Sequence, residues 1–323
     1  PEGPIAQEAK DAKEQIFFDQ AKGAGTISAY QNFLKLHPNG KLLGAAQEAI
    51  AELELKEVDR SFAGYEAFLR RHPRGPSAEK AGEALDDAAD GMNDVMTREL
   101  ADAARRCDTA GTKAVVLTGA GRFFCAGGDL KAMAAPPLGP GPFVKGIADD
   151  LHRAISTFVR MDAVLITAVN GVAAGAGFSL AITGDLVLAA DSASFTMAYT
   201  RAGLSPDGSS SYYLPRLVGV RRTQELMLTN RTLKAAEAVD WGLITEVVPA
   251  AELEVRAQAL ADQFASAAKG SASAVKKLML TSFGSGLEEQ MELEGRLIAA
   301  CADSADGREG IDAFLAKRAP TFG

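Results

Sequence analysis

Beyond about residue 84, short β-branched runs alternate with helical stretches, and few folds accommodate that order. KAVVLTG (113–119), AVLITAVNG (163–171), DLVLAA (185–190) and LITEVV (243–248) are apolar runs bounded by Gly, Asp or Pro. MNDVMTRELADAARR (92–106), VKGIADDLHRAISTFVR (144–160) and RRTQELMLT (221–229) lie between them with helical spacing. Strands that alternate with helices imply an α/β domain with crossover connections. The chain then ends in mostly helical sequence. The Pro/Gly-rich segment AAPPLGPGP (134–142) reads as a surface connection or a lid.

The sequence before residue 84 is different. AYQNFLKLHPNGKLLGAAQEAI (29–50) and GYEAFLRRHPRGPSAEKAGEAL (64–85) repeat at an offset of 35 residues. Tyr30, Phe33 and Leu34 match Tyr65, Phe68 and Leu69, three and four apart on one helical face. The shared H-P-x-G then stops each helix. Helix–turn–helix units near this period loosely resemble tetratricopeptide-type repeats, without their Trp and Leu-Gly positions. The expected division is therefore a helical-repeat segment over 1–83 and an α/β domain over 84–323. About two units are visible where three are usually needed, so the repeats are expected to lean on the rest of the chain or on a protein partner.

Composition narrows the function classes. The chain has 323 residues and a formal net charge of −8, with no basic stripe, so nucleic acid and anionic membranes are not expected partners. No apolar run reaches the length of a membrane span, and PEGPIAQEAKDAKEQ lacks the apolar core of a signal peptide. Cys107, Cys125 and Cys301 are far apart and form no CxxC pair, so neither a disulfide framework nor a metal site is expected. A reduced, cytoplasmic protein is the expectation. Of three histidines, His37 and His72 are repeat-equivalent and read as structural, leaving His152 alone.

Two glycine-rich stretches, FFCAGGDLKAM (123–133) and NGVAAGAGFSLAITGD (170–185), each follow a strand and precede a helix. Such turns free backbone N–H groups to converge on one spot, and the helix N-terminus adds positive potential. Neither stretch fits a P-loop or a dinucleotide fingerprint. Together with GLSPDGSSSYYLPRLVGVRRTQELMLTNRTLKAAEAVDWGLITEVVP (203–249) they resemble the enoyl-CoA hydratase/isomerase (crotonase) superfamily across residues 84–323.

That resemblance implies a crotonase-like spiral of ββα units with C-terminal helices and a trimer or dimer of trimers. It also implies an acyl-CoA thioester substrate, with coenzyme A as part of the substrate and no separate cofactor. By motif position, the main-chain N–H groups of Gly128 and Ala176 form the oxyanion hole. Gly91, Met92, Ala126, Asp129, Leu130 and Lys131 are implied to lie against the acyl-CoA, with Tyr199 and His152 beside the acyl group. Lys276, Lys277 and Phe283 are implied at the nucleotide end, from this subunit or a neighbour. DAADGMND (87–94) resembles the family's acyl-CoA loop, but helical repeat sequence precedes it where a strand hairpin is usual.

The hydratases of the superfamily use two glutamates. Here those positions hold Ser179 and Tyr199, neither of which exchanges protons as a carboxylate does near neutral pH. Asp207, in GLSPDG, falls instead where isomerases of the phenylacetate-degradation type carry their acid. One carboxylate can remove a proton and return it elsewhere while an oxyanion hole holds the intermediate. The same alignment leaves a 4-chlorobenzoyl-CoA dehalogenase-like reading open, with Asp207 as nucleophile and His152 as base. It also leaves a scaffold that binds CoA thioesters without turnover. An Asp before GSSSYYL is equally a good helix N-cap.

Overall fold

The computed structural model describes residues 3–58, 62–82, 91–134 and 139–323. The chain divides into two compact units, Pro1–Ala88 and Ala89–Gly323.

In the first unit, helices Pro4–Ala24, Ile27–Leu36, Leu43–Glu57 and Phe62–Arg71 are followed by helical residues from 76. Tyr30 and Phe33 bury one face of Ile27–Leu36 against Ala21, Ala46 and Ile50. Phe68 does the same against Ala51 and Ala81. The paired glycines of H-P-x-G have a specific task. Glu14 Oε1 accepts the N–H of Leu42 at 2.7 Å, and Glu48 Oε1 accepts the N–H of Ser77 at 2.7 Å. Each carboxylate therefore satisfies the start of the helix two along in the chain. A Cβ on Gly40 would lie 2.2 Å from Glu14 Oε1, and one on Gly75 2.3 Å from Glu48 Oε2. Helix Pro4–Ala24 thus plays for one unit the part that Leu43–Glu57 plays for the next, which extends the repeat by half a unit. His37 stacks on Phe33 and His72 packs on Phe68, both at helix ends as expected. Substituting Ala at Gly75, where φ is +105°, is expected to destabilise the repeat unit by about 2 kcal/mol through a lost cap and left-handed strain. Gly40→Ala, lacking that strain, should cost about half as much in a urea melt.

The second unit contains two four-stranded sheets. One has the order β1 (Ala114–Thr118), β3 (Val164–Val169), β5 (Leu186–Ala190), β8 (Glu246–Val248), all parallel. The other has the order β2 (Phe123–Cys125), β4 (Val172–Ala174), β6 (Ser194–Thr196), β7 (Leu233–Lys234), with only the last pair antiparallel. Three successive passes of the chain each lay one strand in the first sheet and the next in the second. This is the expected spiral of ββα units. β3 is buried at all six positions, which is why VLITAV shows no polar alternation. The N-G after β3 makes no hairpin. Asn170 Oδ1 accepts the N–H of Gly119, and its Nδ2 donates to the carbonyls of Gly121 and Phe123, so it ties the β3–β4 connection to the β1–β2 connection. A Cβ on Gly171 would meet the Arg122 carbonyl at 2.1 Å, so only glycine admits that approach.

The long helix begins at Pro140 and runs to Arg160, so residues 140–142 of the anticipated loop are its first turn. Proline's missing N–H carries no penalty there. Residues 135–138 and 87–90, which belong to sequence motifs above, lie outside the described residues.

Candidate active site

The two glycine-rich turns meet. Gly127, at φ +100°, lies so close to the second turn that a Cβ would sit 2.9 Å from the Ala174 carbonyl and 3.6 Å from Gly175 Cα. Met92 bridges in parallel to Gly128, donating to the Gly127 carbonyl at 2.6 Å and accepting from Asp129 N–H at 3.0 Å. Those two bonds flank Gly128, whose own N–H therefore points to the opposite side. Ala176 opens helix Ala176–Ala181, and an N–H at that position has no intrahelical acceptor. Gly128 and Ala176 both line one cavity of about 370 Å³.

Apolar side chains form most of its wall. Val144, Ile147, Ala148 and Leu151 present one stripe of helix Pro140–Arg160, and Met92, Leu130 and Met133 close another side. Met133 overhangs the first glycine turn, since a Cβ on Gly128 would lie 2.4 Å from its Cε. Sequence reading missed Met133 and this stripe. The 3.6-residue spacing of the stripe was visible, but which face met the glycine turns was not.

Asp207 lines the same cavity as these turns. Its side chain is not a helix cap. The N-cap of helix Ser210–Leu217 is Ser209, at φ +68°, and no side chain caps it. The carboxylate instead lies 2.7 Å (Oδ1) from Nε2 of His152. The Asp207 backbone is held separately, its carbonyl accepting from Ser179 Oγ at 2.7 Å and Ser210 Oγ at 2.9 Å. Ser179 Oγ also lies 3.2 Å from the Tyr199 hydroxyl. Ser179 and Tyr199 thus form a partly buried hydroxyl pair that supports the Asp207 turn. Burial, and secondarily the nearby Asp207 charge, keep the Tyr199 hydroxyl well above its ordinary range, so it stays neutral. Gly208, at φ +64°, packs directly on Ser179, where a Cβ would meet Ser179 Cβ at 2.8 Å. A long acidic side chain at 179 and the 207–208 turn compete for one space. Burial also pushes the Cys125 thiol, beside the first glycine turn, up to about 11, which makes it an inert core group.

Of the other expected contacts, Met92, Ala126, Leu130 and Tyr199 line the cavity. Gly91 does not, because it packs against the Asp129 backbone. Asp129 directs its carboxylate to Ala132 N–H at 2.9 Å and so caps the short helix Leu130–Ala134. Lys131 on that helix is exposed, outside the cavity wall. His152 follows Leu151 by about 100° around the helix and faces a second hollow behind Asp207, with Ser156, Arg160 and Tyr213.

The nucleotide-end expectations fare differently. Lys276 is buried, with Nζ 2.7 Å from Oδ2 of the partly exposed Asp185 and bonded to the Phe158 and Ala163 carbonyls, so its ammonium is spent inside the fold and not on a phosphate. Lys277 pairs with Asp162 at 3.0 Å, and Phe283 lies exposed with the Arg216 guanidinium 5.2 Å from its ring centre. Neither reaches the cavity within one chain. Among the described residues no group of three His, Cys, Asp or Glu side chains is placed to hold a metal ion, and no helix is long and apolar enough to cross a membrane.

Comparison with known proteins places this geometry. A family model described as enoyl-CoA hydratase/isomerase matches residues 86–323. The chain is 40% identical over 236 residues to 1,2-epoxyphenylacetyl-CoA isomerase of Escherichia coli (strain K12), covering 72% of this chain and 89% of that protein. It is 35% identical over 208 residues to 4-chlorobenzoyl coenzyme A dehalogenase-1 of an Arthrobacter species, covering 63% and 74%. Among solved structures, an enoyl-CoA hydratase from Polaromonas sp. JS666 matches with a TM-score of 0.69 and 31% identity, over 72% of this chain and 91% of that one.

Proposed function

The chain belongs to the enoyl-CoA hydratase/isomerase family, and on that premise we propose that it shifts a double bond in an enoyl-CoA thioester with Asp207 as the acid–base group. The observation that carries this reading is a single carboxylate on the wall of the cavity that Gly128 and Ala176 also line, with hydroxyls at Ser179 and Tyr199, where the resemblance puts the hydratase glutamates.

In this reading the thioester oxygen sits between the two N–H groups. Asp207 takes the proton beside the carbonyl, and the C–H electron pair enters a dienolate whose charge collects on that oxygen. Each main-chain donor supplies on the order of 3 kcal/mol to the transition state. The protonated Asp207 then gives the proton to the far carbon, and the double bond ends conjugated with the thioester. The apolar wall of Val144, Ile147 and Leu151 favours a hydrocarbon acyl chain over a polar one.

The dehalogenase-like reading needs His152 to activate water beside the substrate. His152 stands behind Asp207, outside the cavity wall, which favours isomerisation. The exposed apolar residues Met291, Ile298, Phe314 and Leu315 on the C-terminal helices support assembly into a trimer. The test is a panel of 2-enoyl, 3-enoyl and 4-chlorobenzoyl thioesters. Conversion of the 3-enoyl substrate to its 2-enoyl isomer is expected. Hydration without isomerisation, chloride release, or binding with no turnover of any of the three each overturns the reading.

A further inference from the structure

We infer that His152 is the positioning residue of the catalytic base, fixing which oxygen of Asp207 meets the substrate. The inference rests on the isomerase reading of the same site and extends it to a side chain outside the cavity. Its starting point is the 2.7 Å contact between His152 Nε2 and Asp207 Oδ1.

A carboxylate oxygen only accepts, so when Asp207 is ionised, as a base must be, Nε2 carries the hydrogen. Oδ1 is then occupied and Oδ2 is the oxygen left for the substrate. The backbone of Asp207 is already fixed from the core side through its carbonyl, by Ser179 and Ser210. What those bonds leave free is rotation about the two side-chain torsions. His152 removes that freedom from the opposite side, and it sits on a helix anchored by the buried Leu151, Ala154 and Ile155.

The need for such a restraint is also visible. The hollow that His152 faces is open and lined mostly by apolar side chains, among them Ile155, Val159, Tyr212 and Leu280. It contains Arg160, held by its bond to Ser156 Oγ at 2.7 Å, and Ser209, whose Oγ is buried with no partner. The Asp207 side chain is 34% exposed, so packing alone does not hold it, and losing the histidine leaves its carboxylate free to rotate out of line.

The test uses the full chain and a 3-enoyl-CoA thioester. His152→Ala is expected to lower kcat by about 30–100-fold, the scale of an ångström-sized misplacement of a reacting group. KM and the affinity for a saturated acyl-CoA, which cannot react, should stay within about threefold of wild type. His152→Gln, which restores an N–H donor, should recover kcat to within about fivefold of wild type. The inference is overturned if His152→Ala keeps kcat within twofold, if Gln is as slow as Ala, or if saturated acyl-CoA binding falls in step with kcat. The two levels separate cleanly. A wild type that leaves 3-enoyl thioesters unchanged defeats the base assignment and this inference together. Loss of activity in Asp207→Asn with full activity in His152→Ala defeats only the role of the histidine.

Discussion

Asp207→Asn is expected to abolish most isomerisation while leaving the fold and substrate binding in place. The amide keeps the size and the backbone of Asp207, so the bonds from Ser179 and Ser210 to its carbonyl persist. What disappears is the basic oxygen pair. Removing a positioned acid–base group lowers a rate by about 10²–10⁴-fold. Because the same residue serves both half-reactions, the effect should lie toward the upper end of that range. The loss should fall on kcat, since the wall that holds the acyl chain is formed by other residues. Steady-state kinetics of the variant, with a saturated acyl-CoA as the binding control, measure this directly. An amide variant within tenfold of wild type sends the base assignment elsewhere.

Much of this arrangement can be read from the chain, for identifiable reasons. β1, β3 and β5 of the first sheet are five or six residues long, apolar and bounded by breakers, so their pattern is visible locally. β2, β4, β6 and β7 are two or three residues long and lie against glycine turns or between helices, which is too short for any periodicity. They enter only through the ββα pattern that the family resemblance implies. Motif position likewise indicates Gly128, Ala176 and Asp207. It says nothing of contacts that cross the fold. The His152–Asp207 bond spans 55 residues and the Ser179–Asp207 bond 28. Ser179 reads in sequence as a missing glutamate, whereas in the fold it is the hydroxyl that holds the acid's turn in place. Lys276 and Lys277 are adjacent and indistinguishable in sequence, yet one is core and the other exposed. Helix phase against Asp185 decides that, and a single sequence does not contain it.

That lysine underlies the second large effect expected in the molecule. Lys276→Met should destabilise the second unit by about 2–3 kcal/mol at neutral pH, the cost of leaving two carbonyls without their donor and the partly exposed Asp185 without its cation. Asp185 would keep only the Leu165 N–H, at 2.8 Å, and the Phe158 and Ala163 carbonyls would lose their donor. The pH dependence has a definite sign. Burial already raises the Asp185 carboxyl above its ordinary range, against the pull of Lys276 and the Leu165 N–H. Without Lys276 that rise grows. A carboxyl whose folded value exceeds its unfolded value favours the folded state below the unfolded value, about 3.9. That contribution is lost as pH climbs through the folded value. The gap between variant and wild type should therefore be smallest near pH 4, widen as pH rises, and flatten once Asp185 ionises in both states. Adding Asp185→Asn to the variant should remove this widening, because the group that titrates is gone. Urea melts of the three proteins between pH 4 and pH 8 make the measurement. A gap that stays constant across that range means that Lys276 contributes through packing and its carbonyl bonds, and not through the charge of Asp185.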